Sequence, residues 1–300
     1  MQIQRETLTR TSFLLLIALS LFWGLNWPIM KVALTSFEPL TFRTFCIGSG
    51  AIGLSIIAKC AGLSLWVPRR EWKWLILGSV FNILGWNVLV IYGLDLMAAG
   101  RSVILAYTMP LWGILLSAVF LREKITPRKY CALILGLIGL AILMGSDILI
   151  LQAGPTGALL VLGAAVSWAT GTVIIKFAKL TIPITVMTAW QLIFAAIPIA
   201  ILTILFEGTD LPELKLWPTL AVIYNIVLAF NFSYWAWFRI VNEVPVSVSA
   251  ISILAIPIIG VCASSLFLHE QIGIQELSAL TLVVSALSMA LIPKQFISKQ

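Results

Sequence analysis

Charge is what this sequence has least of. Asp, Glu, Lys and Arg make up only 10% of its 300 residues, against about 25% in a soluble domain, which needs them to cover its surface. With 61% apolar residues and a mean hydropathy of +1.07, the chain cannot wet its own exterior. A soluble globular protein is excluded, and lipid must be the solvent over most of the surface. Histidine is nearly missing: His269 stands alone, so there is no H-E-x-x-H pair and no histidine within an apolar run. The four cysteines (Cys46, Cys60, Cys131, Cys262) show no C-x-x-C spacing and read as small apolar residues rather than metal ligands or disulfide partners. Carboxylates are absent from the centres of the apolar runs. Catalysis inside a membrane would need a nucleophile–base pair or a metal cluster there. An enzyme is therefore not expected, nor is a cofactor.

The apolar residues are gathered into ten runs: 11–33, 40–60, 72–94, 102–122, 129–147, 157–178, 184–206, 217–238, 246–268 and 275–293. Each approaches the roughly 20 residues that a helix needs to cross about 30 Å of hydrocarbon. The expected fold is an all-α integral membrane protein with ten transmembrane helices. The first run follows Arg5 and Arg10 as a signal peptide would, but it is too long, lacks a small-residue cleavage site and precedes nine further spans. Fifteen of the nineteen Lys and Arg fall on the side that holds both termini; Lys31, Arg43, Arg101 and Lys215 fall on the other. Positive-inside bias places both termini in the cytoplasm of a multi-pass protein of the inner (plasma) membrane. The net charge of +7 is this topology signal, scattered over short loops, and no nucleic-acid partner is expected. The expected protein is a monomer whose partners are the lipid bilayer and a small-molecule substrate.

The two halves of the chain repeat. Trp23 and Lys31 are matched 145 positions later by Trp168 and Lys176, and Trp72 by Trp217. FLREKI (Phe120 to Ile125) returns 147 positions later as FLHEQI (Phe267 to Ile272). A proline stands thirteen residues before the glutamate of each copy, Pro110 before Glu123 and Pro257 before Glu270. Residues 1–150 and 151–300 are therefore read as two copies of one five-span unit. Five is odd, so the second copy must run through the membrane in the opposite sense. The loops agree: in FLHEQI, Arg122 and Lys124 have become His269 and Gln271, and the basic LSLWVPRREWKW before the third span faces the acidic EGTDLPELKLW before the eighth. Inverted repeats of this kind belong to secondary transporters, whose site lies near the midplane between the repeats.

These features, the W-x-x-x-W/P…K first span and P-x₁₂-E with FL-x-E closing the fourth span of each half, resemble the EamA-type members of the drug/metabolite transporter superfamily across essentially the whole chain. Within it the sequence looks most like the YddG-type aromatic and neutral amino acid exporters. The resemblance implies a basket of ten helices as two inverted five-helix repeats, enclosing a central cavity that opens alternately to either side.

Inside the spans the polar residues are mostly neutral. The candidate substrate-binding residues are Trp23 and Asn26 in span 1, Asn82 and Trp86 on one face of span 3, and Tyr107 in span 4. Span 6 adds Trp168, and span 9 adds Ser252. In span 8, Tyr224, Asn231 and Trp235 fall on one helical face, with Tyr234 bordering it. Such an Asn often only bonds a neighbouring helix. Trp66, Trp72, Trp74 and Trp217 read as interfacial anchors. Lys31, Arg43, Lys59, Arg101, Lys176 and Arg239 lie near span ends, where long side chains snorkel to the headgroups. Pro110 and Pro257 remove backbone donors within spans and are candidate gating points. Proton-coupled carriers hold an ionisable group at depth, and the span centres hold none, so uniport is expected; the resemblance implies that the activity is export of aromatic and other neutral amino acids by alternating access. Proton-coupled efflux of drugs, lipophilic cations or other metabolites is the alternative, since aromatic faces also attract cations.

The stretch WGLNWPIMK (Trp23 to Lys31) places Trp and Asn where the halves meet, with Pro28 ending or bending the helix and Lys31 reaching for the outer headgroups. Its counterpart WATGTVIIK lacks Asn and Pro, so the halves are expected to be unequal.

Overall fold

The computed structural model describes residues 10–149, 155–210, 212–243 and 246–291. Both termini and the 150–154 connection, on which the expected sidedness turns, lie outside the described residues. The described elements are all helices. The first half comprises α1 (Arg10–Ala33), α2 (Pro39–Cys60), α3 (Trp72–Ser79), α4 (Trp86–Leu96), α5 (Ala99–Ala106), α6 (Met109–Phe120) and α7 (Pro127–Leu149). The second comprises α8 (Thr156–Ala178), α9 (Ile184–Phe206), α10 (Leu216–Tyr224), α11 (Ser233–Glu243), α12 (Val246–Leu268) and α13 (Ile274–Leu291). Two π-helical segments, Val80–Gly85 and Asn225–Phe232, weld α3 to α4 and α10 to α11.

Hydrocarbon leaves a backbone no water to bond, so an apolar run must close its hydrogen bonds within a helix. Among the described residues eight stretches are long and apolar enough to cross a membrane, and Ile253–Leu268 in α12 is a shorter apolar one. The outer surface suits lipid: Leu14, Ile52, Ile56, Ile134, Ile197 and Ile201 are each more than half exposed. Pro39 sits in the first turn of α2, where its missing N–H costs nothing. Pro28 does not end its helix, since α1 runs through it to Ala33. The repeated FLxE motif recurs as backbone geometry. Its third residue, Arg122 in one copy and His269 in the other, adopts positive φ (55° and 54°) and turns the chain at the helix end.

The helices pair across the halves. α2 packs along α9, and α7 along α13. α1 packs on α12 while α8 packs on α5 and α6; α4 packs on α8 while α10 and α11 pack on α1. Exchanging the halves maps this scheme onto itself. Small residues allow a close crossing: Gly78 of α3, Gly85 of the first π segment and Gly93 of α4 meet Ile175, Ser167 and Val161 of α8 at distances a Cβ would violate.

Carboxylates from one half hold helix starts in the other. Glu207, just past α9, accepts from the Leu40 and Thr41 amides (both 2.7 Å), the Thr41 hydroxyl and the Tyr92 hydroxyl. Glu270 accepts from the Ala99 and Gly100 amides at the start of α5 (2.7 and 2.9 Å). Glu71 accepts from the Thr181 amide and hydroxyl ahead of α9. Glu207 and Glu270 satisfy donors that a helix start leaves open, at the positive end of its dipole, whereas Glu71 ties down the loop ahead of α9. Lys31, expected to reach the headgroups, instead donates from Nζ to the Leu94 and Asp95 carbonyls (2.7 and 2.6 Å), closing the end of α4. Its counterpart Lys176 pairs with the exposed Glu123 at 2.5 Å. The hydrogen bond from Lys176 holds the Glu123 carboxyl below its ordinary range.

Candidate substrate-binding cavity

The π-helical segments decide what faces inward. A π turn bonds five residues back instead of four, so a stripe drawn at 3.6 residues per turn loses its register on crossing one. The two segments begin at Val80 and Asn225, 145 positions apart, at the same place in each half. Two side chains take up carbonyls within the second: Asn231 Nδ2 donates to the Ile226 carbonyl (2.8 Å) and the Ser233 hydroxyl to that of Leu228 (2.7 Å).

Between the halves lies a cavity of about 220 Å³. Ligand pockets run to about 300–1,000 Å³, so this volume suits one small solute. The first helix of one half supplies Trp23, Asn26, Trp27 and Met30, at spacings that keep one helical face. The other half's first helix supplies Trp168. Trp86 and Asn87 follow the first π segment, Tyr234 and Trp237 follow the second, and Phe230 lies within it. Tyr107 enters where α5 breaks before α6, and Ile253 and Ile256 enter from α12.

The rings form two clusters, each around the tryptophan of one half's first helix. Trp168 meets Trp86 edge-on, with centroids 5.3 Å apart. Trp23 meets Tyr234 edge-on and lies against Trp237, both at 6.0 Å. Trp168 of α8 thus touches a ring of α4, and Trp23 of α1 touches rings of α11, each across the halves. Trp23 Nε1 is fixed by the Ala229 carbonyl (3.1 Å).

Of the sequence-predicted residues, the structure gathers Trp23, Asn26, Trp86, Tyr107, Trp168 and Tyr234 around the cavity. It places Asn82, Tyr224, Asn231 and Trp235 elsewhere. Asn82 is buried against α8, its Nδ2 donating to the Trp168 carbonyl (3.2 Å) and the Thr172 hydroxyl (3.3 Å). The Tyr224 hydroxyl donates to the Phe22 carbonyl (2.9 Å). Asn231 faces Gly53 of α2. Trp235 packs on Phe232 and on the Leu15, Leu16 and Leu19 cluster. The side chain of Ser252 lies outside the described residues. The two prolines differ: Pro110 occupies the first turn of α6 after the break at Tyr107–Thr108, whereas Pro257 lies inside α12.

A further expectation is overturned. Arg43 does not snorkel to the headgroups; it is 3% exposed and lines the cavity. Its Nη2 reaches Met30 Sδ at 3.2 Å, and its guanidinium lies 5.2 Å from the Phe42 ring centre. The helix end it belongs to is roofed by Glu207 and packed against α9, so nearness to that end does not mean nearness to water. The sequence carried one signal: this is an Arg, the cation suited to buried pairing, on the side where cations are scarce. Trp27, Asn87, Phe230 and Trp237 were also missed. Three of these, Asn87, Phe230 and Trp237, lie within or beyond the π segments, where the assumed period fails.

A membrane-embedded helical bundle whose halves close on a ring-lined chamber is the architecture of a small-solute carrier. The chain belongs to the EamA-like transporter family, which it matches twice, over residues 10–145 and 155–292. It is similar to the uncharacterized transporter YoaV of Bacillus subtilis, with 29% identity over 91% of this chain and 94% of that one. It is also 29% identical to the aromatic amino acid exporter YddG of Ancylobacter novellus, over 66% of this chain and 68% of that one. A probable amino-acid metabolite efflux pump of Escherichia coli shares 20% identity over 92% of this chain and 93% of that protein. A crystal structure aligns with a TM-score of 0.67 at 19% identity, over 96% of this chain and 99% of that one, which shows the same fold. The protein is thus a multi-pass membrane transporter, and the names of these relatives are those of transporters and pumps.

Proposed function

We propose that the protein exports aromatic and other neutral amino acids by alternating access, as a uniporter running down the substrate gradient. The observation that carries this reading is the chamber itself: small, walled by Trp and Tyr from both halves, and set where helices of the two halves cross. Flat rings give an aromatic side chain large contact area in offset or edge geometry, worth about 0.5–1.5 kcal/mol per ring pair beyond burial. The printed name of the YddG relative supports the same cargo. In this reading residues 1–150 and 151–300 are inverted five-helix repeats, making ten spanning helices, with both termini in the cytoplasm of a monomer in the inner membrane. The self-mapping pairing of helices supports the repeat.

Glu207 and Glu270 cap helix starts, Glu71 holds the loop ahead of α9, and the chamber is lined by rings, amides, thioethers, aliphatic groups and one guanidinium. That lining supports movement without a coupled proton. The buried Arg43 also repels a lipophilic cation, which ranks that cargo lower. Purified protein in liposomes is expected to move labelled tryptophan or phenylalanine in either direction with no imposed pH gradient. Internal acidification that tracks the substrate, or a strict need for a pH gradient, would overturn the uniport. A failure to move any amino acid would overturn the cargo.

The helix break before Pro110 and the proline inside α12 are the proposed bending points for opening each side. Pro110→Ala and Pro257→Ala are expected to slow transport in the same liposomes, and unchanged rates at normal expression would remove both from the gate.

A further inference from the structure

We propose that Arg43 is the carboxylate anchor of the chamber, so that cargo is selected as an aromatic carboxylic acid; this rests on the transport reading above. Arg43 is the cation of the lining, 3% exposed on the first turns of α2. Among the described residues its hydrogen bonding is one contact to the Met30 thioether, a weak acceptor, and Nε has no partner. No carboxylate from the described residues lines the cavity. A guanidinium taken from water without an anion is costly. Such a group persists where its partner arrives from outside, and its planar fork fits a carboxylate through two parallel N–H···O bonds.

The neighbours suit the rest of the solute. Asn26 stands one turn from Met30 on α1, lines the same chamber, and its Oδ1 is buried without a donor. An ammonium or amide N–H placed there would satisfy it. The Trp86–Trp168 and Trp23–Tyr234 contacts border the remaining space for a ring. The arrangement places an anion site, an acceptor and aromatic walls within one small cavity. The carboxylate meets a full charge and the ammonium only a neutral oxygen, so the acid group dominates selection.

Three probes separate these groups: L-tryptophan, tryptophanamide (no carboxylate) and indole-3-propionate (no ammonium), with binding to the full-length detergent-purified protein read by calorimetry. A hydrogen bond to a charged group contributes enough for about ten- to a hundredfold in affinity. Wild type is expected to bind tryptophan more tightly than the amide by that factor, and Arg43→Gln to lower tryptophan to the level of the amide. Arg43→Lys keeps the charge without the fork and should fall between. Equal wild-type binding of tryptophan and its amide, which needs no variant to fold, overturns the anchor while leaving the amino acid reading in place. So does an Arg43→Gln protein that still discriminates tenfold. If indole-3-propionate binds through Arg43 and neither tryptophan nor the amide binds, the anchor stands and the amino acid reading falls. If no carboxylate binds, both fall.

Discussion

Replacing Gly93 with valine is expected to leave little folded protein in detergent. Gly93 lies on α4 where that helix crosses α8, and a Cβ there would stand 2.6 Å from Val161 Cγ2, 2.9 Å from the Gly157 carbonyl oxygen and 3.0 Å from the Val161 amide nitrogen. The first of these contacts could be relieved by a rotamer change. The other two involve backbone, and backbone moves only if the whole crossing widens. Overpacking a core costs typically about 1–3 kcal/mol when neighbours can adjust, and a fixed backbone contact exceeds that range. The consequence reaches the site, because Gly85 and Ser167 lie on the same seam and the Trp86 and Trp168 rings sit beside them. Gly48 on α2 is the control: nothing lies within 4 Å of a Cβ built there. Gly48→Ala should leave stability unchanged or raise it, since glycine inside a helix costs about 0.5–1 kcal/mol relative to alanine. Size-exclusion profiles and thermal midpoints check both. A monodisperse Gly93→Val protein with an unchanged midpoint would show that the α4–α8 crossing is not close-packed.

How far the sequence alone reached can be judged at particular residues. The repeat was legible because its markers are chemical: Trp23 and Trp168, or Glu123 and Glu270, keep their identity whatever the local helix geometry. Eight of the ten expected spans were legible among the described residues, because hydrocarbon imposes length. The inward faces of the third and eighth expected spans were only half legible. Tyr224, Asn231 and Trp235 share one face at 3.6 residues per turn, but the π segment Asn225–Phe232 turns that face, bringing Phe230, Tyr234 and Trp237 inward instead. Nothing in a periodicity argument announces a π turn. Asn and Ser side chains that can take up carbonyls five residues back, as Asn231 and Ser233 do, are the nearest thing to a signal. Arg43 and Lys31 were misplaced for a related reason. Both stand near helix ends, and both ends are enclosed by other helices, so the snorkelling argument, which assumes lipid around the helix, did not apply.

The second large effect belongs to the ring wall. Trp168→Ala is expected to weaken tryptophan binding by about thirtyfold, the equivalent of the 2 kcal/mol or more that buried tryptophan anchors typically contribute. Trp168 combines what is needed: its ring lines the chamber and meets Trp86 edge-on, so its removal also frees the second ring. Its backbone carbonyl, which receives the Asn82 amide and the Thr172 hydroxyl, survives the substitution. The α8 contact with α3 and α4 should therefore hold, and the lost affinity can be assigned to the ring. Trp168→Phe, which keeps a flat ring, should recover most of it. Asn231→Ala is the informative contrast. Its Nδ2 bonds the Ile226 carbonyl, its Oδ1 is buried against Gly53 without a donor, and it does not line the chamber. That substitution should leave tryptophan affinity within about twofold, any effect appearing as a shift in thermal midpoint through the freed π-segment carbonyl. A thirtyfold loss at Asn231 with none at Trp168 would move the binding surface from the chamber to the seam between the Asn225–Phe232 π segment and α2.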